Sequence, residues 1–138
     1  MRFMILVKAG AESEAGVLPT EQEFAEMGRY NEELVRAGVL LAAEGLHPTR
    51  RGARVHFADG RRTVIDGPFA ESKELIAGFW LIQVKSREEA IEWVKRIPCV
   101  EGEVEIRQVF ETDDFGAELT PELRAQEDQL RGQVAALS

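Results

Sequence analysis

Short apolar runs alternate with amphipathic stretches along the chain, and the spacing predicts strands and helices in a definite order. Residues 2–8, RFMILVK, are an apolar run of strand length. A loop marked by Gly10, Gly16 and Pro19 follows, and then Thr20 and Glu23 stand at capping-box spacing, each placed to satisfy an orphan amide of a helix start. Phe24, Met27, Leu34 and Val35 supply an apolar stripe and Gly38 a C-terminal cap, so the first long helix is expected over about 21–37. Residues 39–46 read as a second strand, ended by the polar stretch 47–52. Two short segments, 53–57 and 62–66, flank Asp59-Gly60, a strong hairpin-turn signal. A further strand is expected at 77–85. Ser86 and Glu89 repeat the capping-box spacing before a helix with Ala90, Ile91, Val94 and Ile97 buried, and Pro98 helps to end it. The last strand is expected at 103–110, with Val104, Ile106 and Phe110 on one face.

Strand-helix-strand, hairpin, strand-helix-strand predicts an α+β ferredoxin-like sandwich with an inserted β-hairpin and both helices on one face of an antiparallel sheet. That domain is expected over 1–110. Beyond it, 111–138 is an acidic extension, in which Thr120-Pro121 starts a helix at about 121–137 with a sparse stripe of Leu123, Leu130, Val134 and Leu137. The stripe needs cover from its own domain or from another subunit.

A sheet covered on one face alternates apolar and polar residues, and these strands do not. Phe3, Ile5 and Val7 oppose Met4 and Leu6, while Phe79 and Leu81 oppose Trp80, Ile82 and Val84. Two helices cover one face, so a homodimer through the other sheet face is expected. The alternative is that the hairpin and the C-terminal helix fold over it.

Charge narrows the partners. A formal net charge of −8 argues against nucleic acid, whose binding relies on Lys and Arg neutralising phosphates. Arg50, Arg51, Arg54, Arg61 and Arg62 cluster around the hairpin, where a solvated surface is preferred over an anion site. No apolar run approaches the roughly 20 residues that span a bilayer, and the apolar stretch at 3–7 is too short for a signal-peptide core. A single cysteine, Cys99, excludes an intrachain disulfide, and a cytoplasmic location is the default expectation. Cys99 has no base placed beside it, so burial or simple exposure is preferred over a nucleophilic role.

Candidate chemistry gathers at 66–74, DGPFAESKE. Asp66 ends a strand and enters a Gly-Pro turn, where its carboxylate is placed to accept from the amides just ahead. Pro68 holds Gly67 out of the α region and stiffens the turn. Glu71, Lys73 and Glu74 then alternate in charge, either as polar groups at a pocket mouth or as solvated surface residues. His47, at the end of the second strand, stands where it can face Asp66, an Asp–His pair that would make a general base; a partly exposed loop histidine is the competing reading. His56 is expected to face solvent. No metal-ligand spacing is present and no cofactor is implied.

The 66–74 stretch resembles the signature of the YCII-related family, or DGPF domain, departing from it only in Ser72 for threonine. The resemblance extends over about 1–110, through Gly78-Phe79, the 89–93 segment and Pro98, and backward to Glu44-Gly45-Leu46. It implies a dimeric α/β-barrel fold and an active-site cleft near Asp66 with a histidine partner, but no firm reaction. On these residues a small-molecule enzyme of lyase or isomerase type is expected, using Asp66 and His47, with Glu71, Lys73, Glu74 and Glu44 as ligand-binding residues. A ligand-binding or regulatory module without catalysis, and a protein-interaction domain, are the alternatives. Fold alone does not choose among them.

Overall fold

Four strands, β1 (Arg2–Lys8), β2 (Leu40–Gly45), β5 (Ile76–Gln83) and β6 (Val104–Gln108), form one antiparallel sheet in the order β2-β5-β1-β6. With α2 (Glu21–Arg36) after β1 and α3 (Arg87–Lys95) after β5, this is the ferredoxin-like arrangement. The computed structural model describes residues 1–70, 74–98 and 100–137. The chain divides into two compact units, Met1–Gln108 and Val109–Ser138.

The helix starts follow from their caps. Thr20 accepts from the Glu23 amide at 3.1 Å, and Glu23 Oε1 accepts from the Thr20 amide at 3.2 Å. At α3, Ser86 accepts from the Glu89 amide, whereas Glu89 reaches past the box to the Lys85 amide at 2.9 Å. The 9–19 segment, expected as loop, contains a one-turn helix, α1 (Ala11–Glu14).

The core lies between the helices and one sheet face: Phe3, Ile5, Trp80, Ile82 and Val84 pack with Tyr30, Leu34 and Ala90. The buried residues of α2 are Tyr30 and Leu34, with Met27 packed alongside, while the expected Phe24 and Val35 are 60% and 62% exposed. At 100° per residue, Phe24 and Val35 project about 90° and about 110° away from the centre of the 27-30-34 stripe, so apolar character alone does not locate the buried face. Tyr30 earns burial because its hydroxyl donates to the Trp93 carbonyl at 2.8 Å and its ring meets Trp80 edge-on. Burial pushes its phenol up to about 12.

On the sheet face away from the helices, register places Leu6 beside Phe79 and Met4 beside Leu81, all half-buried, with Glu44 next to Phe79 and Glu105 next to Leu6. The hairpin strands β3 (Ala53–Ala58) and β4 (Arg61–Asp66) form a separate two-stranded sheet, exposed throughout. Asp59 and Gly60 both have positive φ, 50° and 74°, the pattern of a tight hairpin turn.

The second unit holds α4 (Pro121–Ala136), capped by Thr120, whose hydroxyl accepts from the Leu123 amide. Phe110, expected to continue the last strand, lies beyond β6 and stacks on Phe115 with centroids 4.8 Å apart.

Candidate functional site

Two places compete for the site: the turn containing Asp66, and a hollow under α2. The turn is built from three segments. Thr49, in a 3₁₀ turn at Thr49–Arg51, uses its amide and hydroxyl to donate to the Glu14 carboxylate at 2.9 and 2.7 Å. The same hydroxyl accepts from the Phe69 amide at 3.0 Å. Gly67 donates to the Gly52 carbonyl at 3.0 Å, the Gly67-Pro68 peptide is cis, and Arg54 stacks over the Phe69 ring at 3.9 Å. A Cβ at Gly67 would lie 1.7 Å from the Thr49 carbonyl oxygen. The motif is thus clamped onto the 49–51 turn, with Thr49 at the centre of the clamp.

The Asp66 side chain is outside that clamp. It is exposed, no described side chain pairs with it, and the amide it was expected to cap is taken by Thr49. His47 does not bond to Asp66 among the described residues. Its Nδ1 and Nε2 lie 3.3 and 3.2 Å from Arg51 Nη1, and such near-equal distances set the guanidinium across the ring rather than on one lone pair. The paired base expected from the sequence is therefore not assembled. Glu74 is exposed and lines a separate hollow with Lys8, Glu101, Glu103 and Glu105. Glu71, Lys73 and Cys99 lie outside the described residues. Among the described residues no group of three or more His, Cys, Asp or Glu is gathered to hold a metal.

Two hydrogen bonds from Thr49, the backbone one first, hold the Glu14 carboxyl below its usual range, and the charge of Arg50 adds to them. A depressed carboxylate stabilises the fold above its ordinary value of 4.5 and loses that contribution as pH falls through its folded value. The melting temperature of wild type should exceed that of Glu14→Gln near about pH 6, and the gap should close on acidification below the usual carboxylate range. A gap unchanged by acidification would mean that the charged form plays no part.

The hollow under α2 has the shape of a binding site. Register puts Gly45 opposite Gly78, and Gly78 opposite Val7, on the helix-facing side of the sheet. Two adjacent positions without side chains leave a depression that Met27 and Asn31 of α2 roof over. The cavity measures about 420 Å³ and is mostly apolar, walled by Ala43, Trp80, Pro19 and Val100. That volume lies in the range of small-molecule sites. The glycines are held to their role: a Cβ at Gly78 would stand 3.0 Å from the Glu44 carbonyl oxygen. Asn31 Oδ1 accepts from Trp80 Nε1 at 2.8 Å, fixing both walls. Among the described residues lining it there is one carboxylate, Glu44, and no histidine. Glu44 pairs with Phe79, so its side chain projects from the opposite sheet face and it reaches the cavity at the edge. The sequence points to Glu44 as a site residue but not to Asn31 or Trp80; the signal it holds is the pair of strand glycines, Gly45 and Gly78, which mark an uncovered patch of sheet.

The model of the YCII-related domain matches residues 1–113. An uncharacterized protein of Rhizobium meliloti (strain 1021) is 35% identical over 75 residues, 54% of this chain and 60% of that one. The chain thus spans 60% of the length of this curated relative. Among solved structures, the 5-chloro-2-hydroxyhydroquinone dehydrochlorinase TftG of Burkholderia phenoliruptrix AC1100, in complex with 2,5-dihydroxybenzoquinone, aligns with a TM-score of 0.45 at 14% identity. That alignment covers 84% of this chain and 100% of TftG. Among the described residues, no helix is long and apolar enough to cross a membrane.

Proposed function

The chain belongs to the YCII-related domain family, and from that premise we propose that it binds a small, mostly apolar molecule in the cavity under α2. The observation that carries this reading is the hollow itself: about 420 Å³, floored by Gly45 and Gly78, with a fixed Trp80–Asn31 pair in its wall. It favours the ligand-binding alternative over catalysis, because the described lining holds no histidine and no carboxylate pair. The test is a thermal-shift screen of small aromatic and alicyclic compounds on wild type and Ala43→Leu, which fills the cavity from its wall. Compounds that stabilise wild type but not the variant support the site. Equal stabilisation of both overturns it.

One observation favours acid/base chemistry of lyase or isomerase type as the second reading. Asp66 carries an exposed carboxylate, without a side-chain partner among the described residues, on a clamped turn, which suits a group that takes a proton from a substrate. His47, Glu71, Lys73 and Glu74 remain its candidate helpers. This reading predicts turnover that Asp66→Asn abolishes without weakening ligand binding under α2.

The protein works as a homodimer in this account, the second copy covering Met4, Leu6, Phe79 and Leu81 on the open sheet face. Leu81→Lys would place a charge in the middle of that interface. It should raise the dimer dissociation constant about 100-fold or more, read by sedimentation equilibrium. Unchanged dimers would move the interface elsewhere. The single cysteine, Cys99, suits a cytoplasmic setting.

A further inference from the structure

The ligand's chemistry is written in the orientation of one amide. Trp80 Nε1 is a donor only, so the Asn31 atom 2.8 Å from it is the oxygen, Oδ1. The amide nitrogen Nδ2 must then lie on the other side of the group. Asn31 is half-buried and forms part of the cavity wall, and no described residue accepts from Nδ2. The neighbouring side chains of Val7, Met27 and Ala43 offer carbon, and the Glu44 side chain projects from the opposite sheet face. With Oδ1 held by the buried Trp80 indole, Nδ2 is the side-chain donor that this wall residue has left for a ligand.

We infer that Asn31 selects the ligand, and that the cavity takes a compact apolar molecule carrying a neutral hydrogen-bond acceptor, a carbonyl or ether-type oxygen, seated on Asn31 Nδ2. This rests on the ligand-binding reading of the same cavity. An apolar ligand without the acceptor leaves Nδ2 unpaired when water is displaced, and desolvating an unmatched amide donor is unfavourable. A ligand with an anionic group is disfavoured for a different reason, since no described lysine or arginine lines the cavity to offset its desolvation.

The probes are acetophenone and cumene, of similar shape, the first with a carbonyl oxygen and the second without, titrated while the indole N–H resonances of the two tryptophans are followed. Acetophenone should shift the Trp80 resonance and bind about tenfold tighter than cumene, one hydrogen bond's difference. Asn31→Asp keeps an oxygen for Trp80 and replaces the donor by a second acceptor, so the preference should vanish or reverse there. If both probes shift Trp80 with equal affinity in wild type, the role of Asn31 is overturned while the cavity stands as a binding site. If neither probe shifts Trp80, both the selectivity and the binding reading of the cavity fall.

Discussion

Gly67→Ala is expected to open the turn at 66–70 and to strip protection from the Phe69 amide by about 100-fold in native-state hydrogen exchange. The reason is geometric. A Cβ at this position falls 1.7 Å from the Thr49 carbonyl oxygen and 2.5 Å from its carbon, both backbone atoms held in a 3₁₀ turn. No rotamer relieves such a contact, so one segment must retreat. Retreat breaks the Gly67–Gly52 and Phe69–Thr49 hydrogen bonds together and separates Phe69 from Arg54. Losing two hydrogen bonds and a stacked cation is a penalty of about 3 kcal/mol, hence the hundredfold loss of protection. Gly52→Ala is the control. Its Cβ would make an ordinary 3.5 Å contact with the same oxygen, and its φ of −116° suits any residue. It should leave exchange nearly unchanged; equal effects from the two substitutions would refute the clamp.

Leu34→Ala should lower global stability by about 3 kcal/mol or more, measured by urea unfolding. Leu34 is 0% exposed and belongs to the cluster that joins α2 to Phe3, Ile5, Trp80 and Ile82 of the sheet. Truncation removes apolar contact and leaves a cavity between two regular elements that cannot easily close up. Its neighbour Val35 is 62% exposed, and Val35→Ala should change stability by less than about 0.5 kcal/mol. A small effect at Leu34 with a large one at Val35 would mean that α2 is rotated from the placement described.

Much of this was readable in the residues, for local reasons. The capping pair Thr20/Glu23, the Asp59-Gly60 turn and the two-sided strands of β1 and β5 each act over a few positions, and their order fixed the sheet topology. Tyr30 does not read as a core residue from sequence, because a tyrosine counts as apolar only once its hydroxyl has a partner, here the Trp93 carbonyl 63 residues away. The 66–74 motif drew attention to Asp66, but what the motif packs with depends on Thr49 and Glu14, which no sequence spacing links to it. The cavity was least legible of all. It is made by absent side chains, Gly45 and Gly78, and becomes a hollow only when strand register sets them side by side under α2.

The two tryptophans report directly on whether this hollow is where the protein meets its ligand. Trp80 lines the cavity, whereas Trp93 lies on α3 and is not part of the lining. With the indole N–H signals assigned through Trp93→Phe, any compound found to stabilise the protein is titrated and both signals are followed. The Trp80 signal should move saturably while that of Trp93 stays in place. A stabilising compound that leaves Trp80 unmoved would contradict it.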